Sequence, residues 1–419
     1  MPKVRNNYKW ELLALLCLAF FFNQGDRAIF GVVLPSIKAE LHLSDSQLGL
    51  VGSVLFFTLA MMLPIAGYLG DRWNKKWIVV GSLFFWSMAT LFTGLAGGLT
   101  GLILLRSVAT AGGESFYAPA AFPLLAEHHV QTRSLALSIH QAALYFGVMT
   151  SGFLGGFIAD RWGWRSAFYV FGGCGILLGF VLMWRLKNAT TPRDRIEEQD
   201  GLPIVSPLEA WGVFFRTRTA LLLTVGCAAI IFVNNAYVVW APEFIREKFG
   251  LSQAAAGGYA MFYHHLTALI GVIVGGKLTD RLIVSRPDFR LRLMSLSMLL
   301  GVPAIVFMGF ATALPLTCLA MATFGLFRGL YESNTHAALF DVIAPRYRSS
   351  AVGSMTMCSF LLGSVSPWLL GWLRGVCPAG MGLSYGFIVL SSAYLTGGMA
   401  VWAARRFTFG TERYREALT

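Results

Sequence analysis

The sequence predicts an all-α polytopic membrane protein, with twelve transmembrane helices arranged as two pseudo-symmetric six-helix bundles. Three observations predict it. Of 419 residues 56% are hydrophobic and only 13% charged, with mean hydropathy +0.62, far too apolar for a soluble globular chain of this length. Apolar runs recur at the length needed to cross about 30 Å of hydrocarbon. The two halves also repeat each other. GYLGDRWNKK at 67–76 is echoed by GKLTDRLIVSR, 209 residues on, and LPSIKAELHLSDSQLG by APEFIREKFGLSQAAAG, 207 residues on. A near-constant shift across two unrelated motifs indicates duplicated halves, which place a substrate near the midplane between them.

The runs fall at 10–36, 48–69, 77–96, 100–125, 134–158 and 166–184, then at 219–244, 254–279, 292–311, 314–341, 350–373 and 383–404. Between the sets lies a charged, Pro-containing stretch. The predicted organisation is therefore an N-terminal bundle at 1–184, a linker at 185–216 and a C-terminal bundle at 217–419. Of the 33 Lys and Arg, 24 fall on one set of loops and termini and 6 on the other. Since basic loops stay cytoplasmic, both termini are expected there, in a bacterial inner membrane. The formal charge of +12 comes in short clusters between spans, so topology explains it and nucleic acid does not. Six Cys at 17, 174, 227, 318, 358 and 377 show no ligand spacing; no metal site or disulfide framework is indicated.

Span 1 is interrupted by FFNQGDRAIFGVVLP, where Asp26 and Arg27 sit in an otherwise apolar helix. A charge at the bilayer centre costs about 2.5 to 3.5 kcal/mol, so such residues normally face a protein interior or wet cavity. They are read as a binding and coupling site; the competing reading is a structural ion pair locking helix 1 to a neighbour. Lys3, Arg5 and Lys9 before Leu12 to Phe22 have the shape of a signal peptide. NQGDR is not a small-residue cleavage site, and the apolar run resumes after it.

After span 2, Gly67 would permit close helix approach, and Asp71 could cap a helix end and pair with Arg72, Lys75 and Lys76. This is a latch at the cytoplasmic mouth, recurring as Gly276, Asp280 and Arg281. GYLGDRWNKK resembles the signature loop of the major facilitator superfamily; GWRSAF at 163–168 and PRYRSSAVG at 345–353 resemble its approaches to helices 6 and 11. The resemblance covers nearly the whole chain. Helix 5 reads GVMTSGFLGG without the Gly-Pro of antiporters, which argues against drug antiport of that kind.

Two branches share NxxDR in helix 1 and an Arg followed by GE in helix 4: the anion:cation symporters and the spinster-type transporters. Here the positions are Asn23, Asp26, Arg27, Arg106 and Glu114. The resemblance implies that Arg27 or Arg106 engages substrate and that Asp26 and Glu114 exchange protons. Both branches usually separate that Arg and Glu by seven residues; this chain separates them by eight. Seven return to one helical face, about −20° off, whereas eight turn the pair by roughly 80°. Either helix 4 carries a π-bulge, which Gly112 and Gly113 would tolerate, or Arg106 points elsewhere.

Helix 10 offers Arg328, Glu332 and His336 at four-residue intervals, expected to share one face, flanked by Tyr331 and Asn334. An intrahelical ion pair competes with a cavity lining opposite Arg27. Helix 7 adds Asn234, Asn235 and Tyr237, helix 4 Tyr117, helix 5 His140, Gln141 and Tyr145, and helix 8 Tyr263, His264 and His265. Apart from Glu332, His336 and His265 these are candidate substrate contacts, together with Asn23, Arg27 and Arg106, and Glu332 joins Asp26 and Glu114 as a proton-coupling candidate. His140 fits a hydrogen-bonded packing residue better than a proton carrier. No nucleotide-binding motif appears, and no cofactor or catalytic residue is assigned.

A carboxylate in a low-dielectric cavity favours its protonated form, while a neighbouring Arg opposes this. A substrate that engages the Arg can thus alter the carboxylate's hold on its proton. Arg also binds both oxygens of a carboxylate substrate with its planar fork. The sequence reading is a monomeric, non-enzymatic secondary transporter moving a small organic anion, a sugar acid or other carboxylate, with protons by alternating access. The alternative is a spinster-type lipid or amphiphile exporter, which GESFY at 113–117 fits. A third reading, a membrane sensor, would show a soluble output domain; this sequence offers a linker and a short tail.

Overall fold

The computed structural model describes residues 6–187, 207–378 and 380–413; the side chains of Asn6, Asn7, Asp71, Arg72, Ser134, Pro207 and Leu208 lie outside that description. Most of the expected linker and Lys3, Arg5 and Arg415 lie outside it too. Eleven helices among the described residues are long and apolar enough to span a membrane. The twelfth run, 100–125, is helical but broken. It is divided among α4 (Leu99–Gly101), a π-helical segment (Leu102–Ala109), α5 (Thr110–Glu114) and α6 (Tyr117–His128). The chain parts into two compact units: Met1–Leu202 with Ala241–Met261, and Pro203–Trp240 with Phe262–Thr419.

The first unit is framed by α1 (Asn6–Leu41), α2 (Asp45–Arg72), α3 (Lys75–Thr93), α7 (Arg133–Trp162) and α8 (Trp164–Arg185). Local chemistry sets the helix starts. Ser44 and Gln47 form a reciprocal capping box on α2, and the Asn74 side chain accepts from the Lys76 N–H to start α3. α1 packs along α7 and α3 along α8. The α1–α7 crossing needs glycine, because a Cβ on Gly147 would lie 2.5 Å from the Phe21 carbonyl oxygen and one on Gly25 would lie 2.1 Å from Ser151 Oγ. This close approach sits one residue from Asp26. Beside it, Leu12, Leu16, Phe20, Leu83, Trp86, Tyr117 and Leu124 form a buried apolar core.

The second unit contains α9 (Pro207–Arg216), α10 (Arg218–Phe249), α11 (Gln253–Leu282), α12 (Phe289–Phe310), α13 (Leu314–Glu332), α14 (Thr335–Phe340), α15 (Arg348–Gly363), α16 (Ser366–Val376) and α17 (Gly382–Ala403), with α10 and α11 shared in part with the first. α12 packs on α13 and α17. Around Tyr237 of α10 cluster the rings of Phe324 and Phe387 and of His264.

Candidate functional site

In the first unit, Asp26, Arg106 and Glu114 are each at most 3% exposed. They are kept charge-compensated by two crossed ion pairs. Arg27 Nε donates to Glu114 Oε2 at 2.7 Å. Arg106 Nη2 donates to the Asp26 backbone oxygen at 2.8 Å, and Nη1 lies 3.4 Å from Asp26 Oδ2. The Arg106 guanidinium also lies near the Phe30 and Phe168 rings, 5.8 and 6.0 Å from their centroids. Thr90 Oγ1 donates to Asp26 Oδ2 at 2.5 Å. The pairs differ in access: the Arg27 side chain is 17% exposed and that of Glu114 is sealed.

The eight-residue spacing resolves in the π segment, which contains Arg106 and ends where the Thr110 N–H donates to the Leu105 carbonyl, five residues back. Its i→i+5 pattern takes up the additional residue, and Arg106 reaches Asp26. Asn23 accepts from Gln24 at 2.7 Å. Among the described residues Asp26 Oδ1, Glu114 Oε1, Asn23 Nδ2 and Ser151 Oγ have no hydrogen-bond partner. Such buried, unsatisfied atoms are costly in a packed interior.

Tyr117 and His140 form a separate aromatic contact. The Tyr117 hydroxyl donates to the Leu16 carbonyl at 2.6 Å and lies 2.9 Å from His140 Nε2. The hydroxyl's one proton being committed, His140 donates through Nε2. Its ring stacks on Phe20 at 4.5 Å. Tyr145 is buried and Gln141 exposed.

In the second unit Arg328 joins Glu332 and His264: Nη2 donates to Glu332 Oε1 at 2.9 Å, and Nη1 lies 3.0 Å from His264 Nε2. Arginine only donates, so His264 accepts through Nε2 and carries its proton on Nδ1. The expectation that Arg328, Glu332 and His336 continue one helical face needs correction. α13 stops at Glu332, Ser333 and Asn334 make a turn, and His336 lies on α14. Ser333 Oγ donates to Leu330 O at 2.9 Å and Asn334 Nδ2 to the same oxygen at 3.3 Å, side-chain bonds that compete with the helix. The break has a counterpart in the first unit, where α5 stops at Glu114 and Ser115–Phe116 turn into α6. The recurrence of Glu-Ser at 114–115 and 332–333 was the available sequence signal.

Asn235 Nδ2 reaches the Gly363 carbonyl at 3.3 Å, a helix-packing contact, while Asn234 and Tyr263 are half-buried. Tyr331 is 1% exposed, and among the described residues its hydroxyl has no hydrogen-bond partner. At the expected latch, Lys75 Nζ donates to Glu127 Oε1 at 2.5 Å, a partner the sequence reading missed. Lys76 lies over the Trp77 ring. The side chains of Asp71 and Arg72 lie outside the described residues. Gly67 does not mediate close approach: a Cβ there, as at Gly276, would meet nothing within 4 Å, whereas one on Gly70 would lie 3.3 Å from Pro119. Asp280 and Arg281 are exposed.

Residues 16–367 match the family model described as Major Facilitator Superfamily. The chain is 29% identical to protein spinster homolog 1 of Homo sapiens over 86% of its length and 72% of that protein's. It is 27% identical to a probable sulfoacetate transporter, SauU, of Cupriavidus necator, covering 88% of each. Among solved structures, a bacterial homolog of the human lysosomal transporter spinster, in an inward-facing and unoccupied conformation, superimposes with TM-score 0.82 at 22% identity, covering 98% of this chain and 100% of that one.

Proposed function

The chain belongs to the major facilitator superfamily, and from that premise we propose that it is a secondary transporter coupling a small organic anion to protons by alternating access. The carrying observation is the unequal exposure of the Arg27–Glu114 pair. An anion arriving at the more accessible Arg27 competes with Glu114 for the guanidinium. Glu114, losing its countercharge in a low-dielectric setting, then takes up a proton. Binding reciprocity requires that the proton strengthen anion binding by the same factor. Asp26, tied to Arg106 and Thr90, is the second proton-exchanging carboxylate. Arg328, held between His264 and Glu332, is a further cationic candidate for anion recognition.

The similarity to a probable sulfoacetate transporter supports a substrate with a carboxylate or sulfonate. The similarity to protein spinster homolog 1 favours a second reading, an amphiphile carrier. A thermal-shift screen of sulfoacetate, sugar acids, neutral sugars and lysolipids across pH 5 to 8 separates them. Stabilisation by anions that grows as pH falls supports the coupled symporter; stabilisation by lysolipids alone supports the amphiphile carrier. Both termini are assigned to the cytoplasm on the distribution of basic residues.

A further inference from the structure

Most of the buried or half-buried hydroxyls on these helices turn back on their own backbone. On α3, Ser82 Oγ donates to Val79 O at 3.0 Å and Thr93 Oγ1 to Ala89 O at 2.8 Å, the usual outlet for such groups in a helix. Thr90 departs from this. It sends its hydroxyl across to α1, onto Asp26 Oδ2. The carboxylate has few other donors. Oδ1 has no hydrogen-bond partner among the described residues, and Arg106 donates its shorter bond to the backbone oxygen, leaving Nη1 at 3.4 Å from Oδ2. A small cavity lined by Phe22, Asp26, Trp86, Ser87, Thr90 and Phe171 borders the carboxylate. Its three rings bring no stronger donor than an indole.

We infer that Thr90 is a positioning residue for Asp26, orienting its carboxylate with one donated hydrogen bond and thereby setting the pH at which Asp26 exchanges its proton. This rests on the reading of Asp26 as a proton-exchanging group. A hydroxyl donating to a carboxylate stabilises the ionised form, and a hydrogen bond to a charged group is stronger than a neutral one. Among the described residues the charged groups around Asp26 are Arg106 from the π segment, Arg27 beside it on α1, and Glu114 through Arg27. α8 contributes Phe168 and Phe171, and α7 contributes Ser151 next to Gly25. None of these is altered by replacing Thr90 with the isosteric valine.

The test uses the reconstituted full chain and needs no substrate. pH-difference infrared spectra report the C=O stretch of a protonated carboxylic acid, and the band lost in Asp26→Asn belongs to Asp26. Thr90→Val should move that band to higher frequency and displace its titration midpoint from the wild-type value; Thr90→Ser should restore both. A Thr90→Val titration that superimposes on the wild type, with the Asp26 band present, overturns the positioning role and leaves the proposed function standing. If Asp26→Asn removes no titrating band, Asp26 does not exchange protons, and the positioning role falls together with Asp26's place as a second proton-exchanging carboxylate, while the Glu114 coupling is untouched.

Discussion

Arg27 and Arg106 are both arginines against carboxylates, yet the structure gives them different freedom. Arg106 is enclosed between aromatic rings and spends its shorter bond on a backbone oxygen, so it serves to hold α1 and the π segment together. Arg27 donates through Nε to Glu114 and keeps part of its surface accessible. Under the proposed function, substrate exchange therefore falls to Arg27. Arg27→Lys, which loses the planar fork, should raise the KM for an anionic substrate about tenfold, or about 1.4 kcal/mol, with little change in Tm; initial-rate uptake into proteoliposomes checks it. Glu114→Gln should abolish accumulation driven by a pH gradient while retaining exchange of substrate across the bilayer without a gradient. Accumulation by Glu114→Gln equal to wild type would remove Glu114 from the coupling step. Asp26 and Arg27 were legible in the sequence because charges in an apolar run stand out. Thr90 was not, since nothing local marks a hydroxyl that bonds a helix distant in sequence.

Helices set where these side chains can reach. The eight-residue Arg106 to Glu114 spacing left two geometries open, and the π segment decides between them by widening one turn. The break after Glu332 was hidden because the four-residue interval to His336 imitates a continuous face, while Ser333 and Asn334 bond back to Leu330. At the α1–α7 crossing, Gly147→Val should destabilise by about 1 to 3 kcal/mol, since the new Cβ meets the backbone of Phe21. Gly81→Ala, which meets nothing within 4 Å, should be neutral or slightly stabilising; thermal unfolding of the two in one detergent tests the contrast. Between spans, Arg405 Nε donates to Asp288 Oδ2 at 2.6 Å and holds the Asp288 carboxyl below its usual range, with nearby Arg292 contributing. A lowered carboxyl contributes stability above its unfolded value, lost as pH falls through the folded one. Asp288→Asn should thus cost a small, salt-screened amount of stability at pH 7 and none in strong acid, as Tm measured against pH would reveal.

Across the whole molecule, hydropathy, charge bias and the repeated motifs carried the fold, because a spanning helix must be long and apolar wherever it sits. In the interrupted run at 100–125, the π distortion was legible as one of two geometries left open by the Arg106–Glu114 spacing, whereas the turn at Ser115–Phe116 was not read. The duplication extends into the site: each unit holds a buried arginine, and a glutamate that ends a helix just before a serine. The pairings differ. The first unit crosses its charges between α1 and the helices at 102–114, whereas the second closes its ion pair within α13 and adds His264. Under the proposed function, that difference places the coupling role in the first unit. The most direct measurement follows protons on anion binding, in weakly buffered detergent solution, with the ligand that gives the largest thermal shift. Uptake of about one proton per anion bound near neutral pH is expected, lost in Glu114→Gln while binding persists. Anion binding with no proton uptake, or with uptake unchanged in Glu114→Gln, would contradict the proposed coupling.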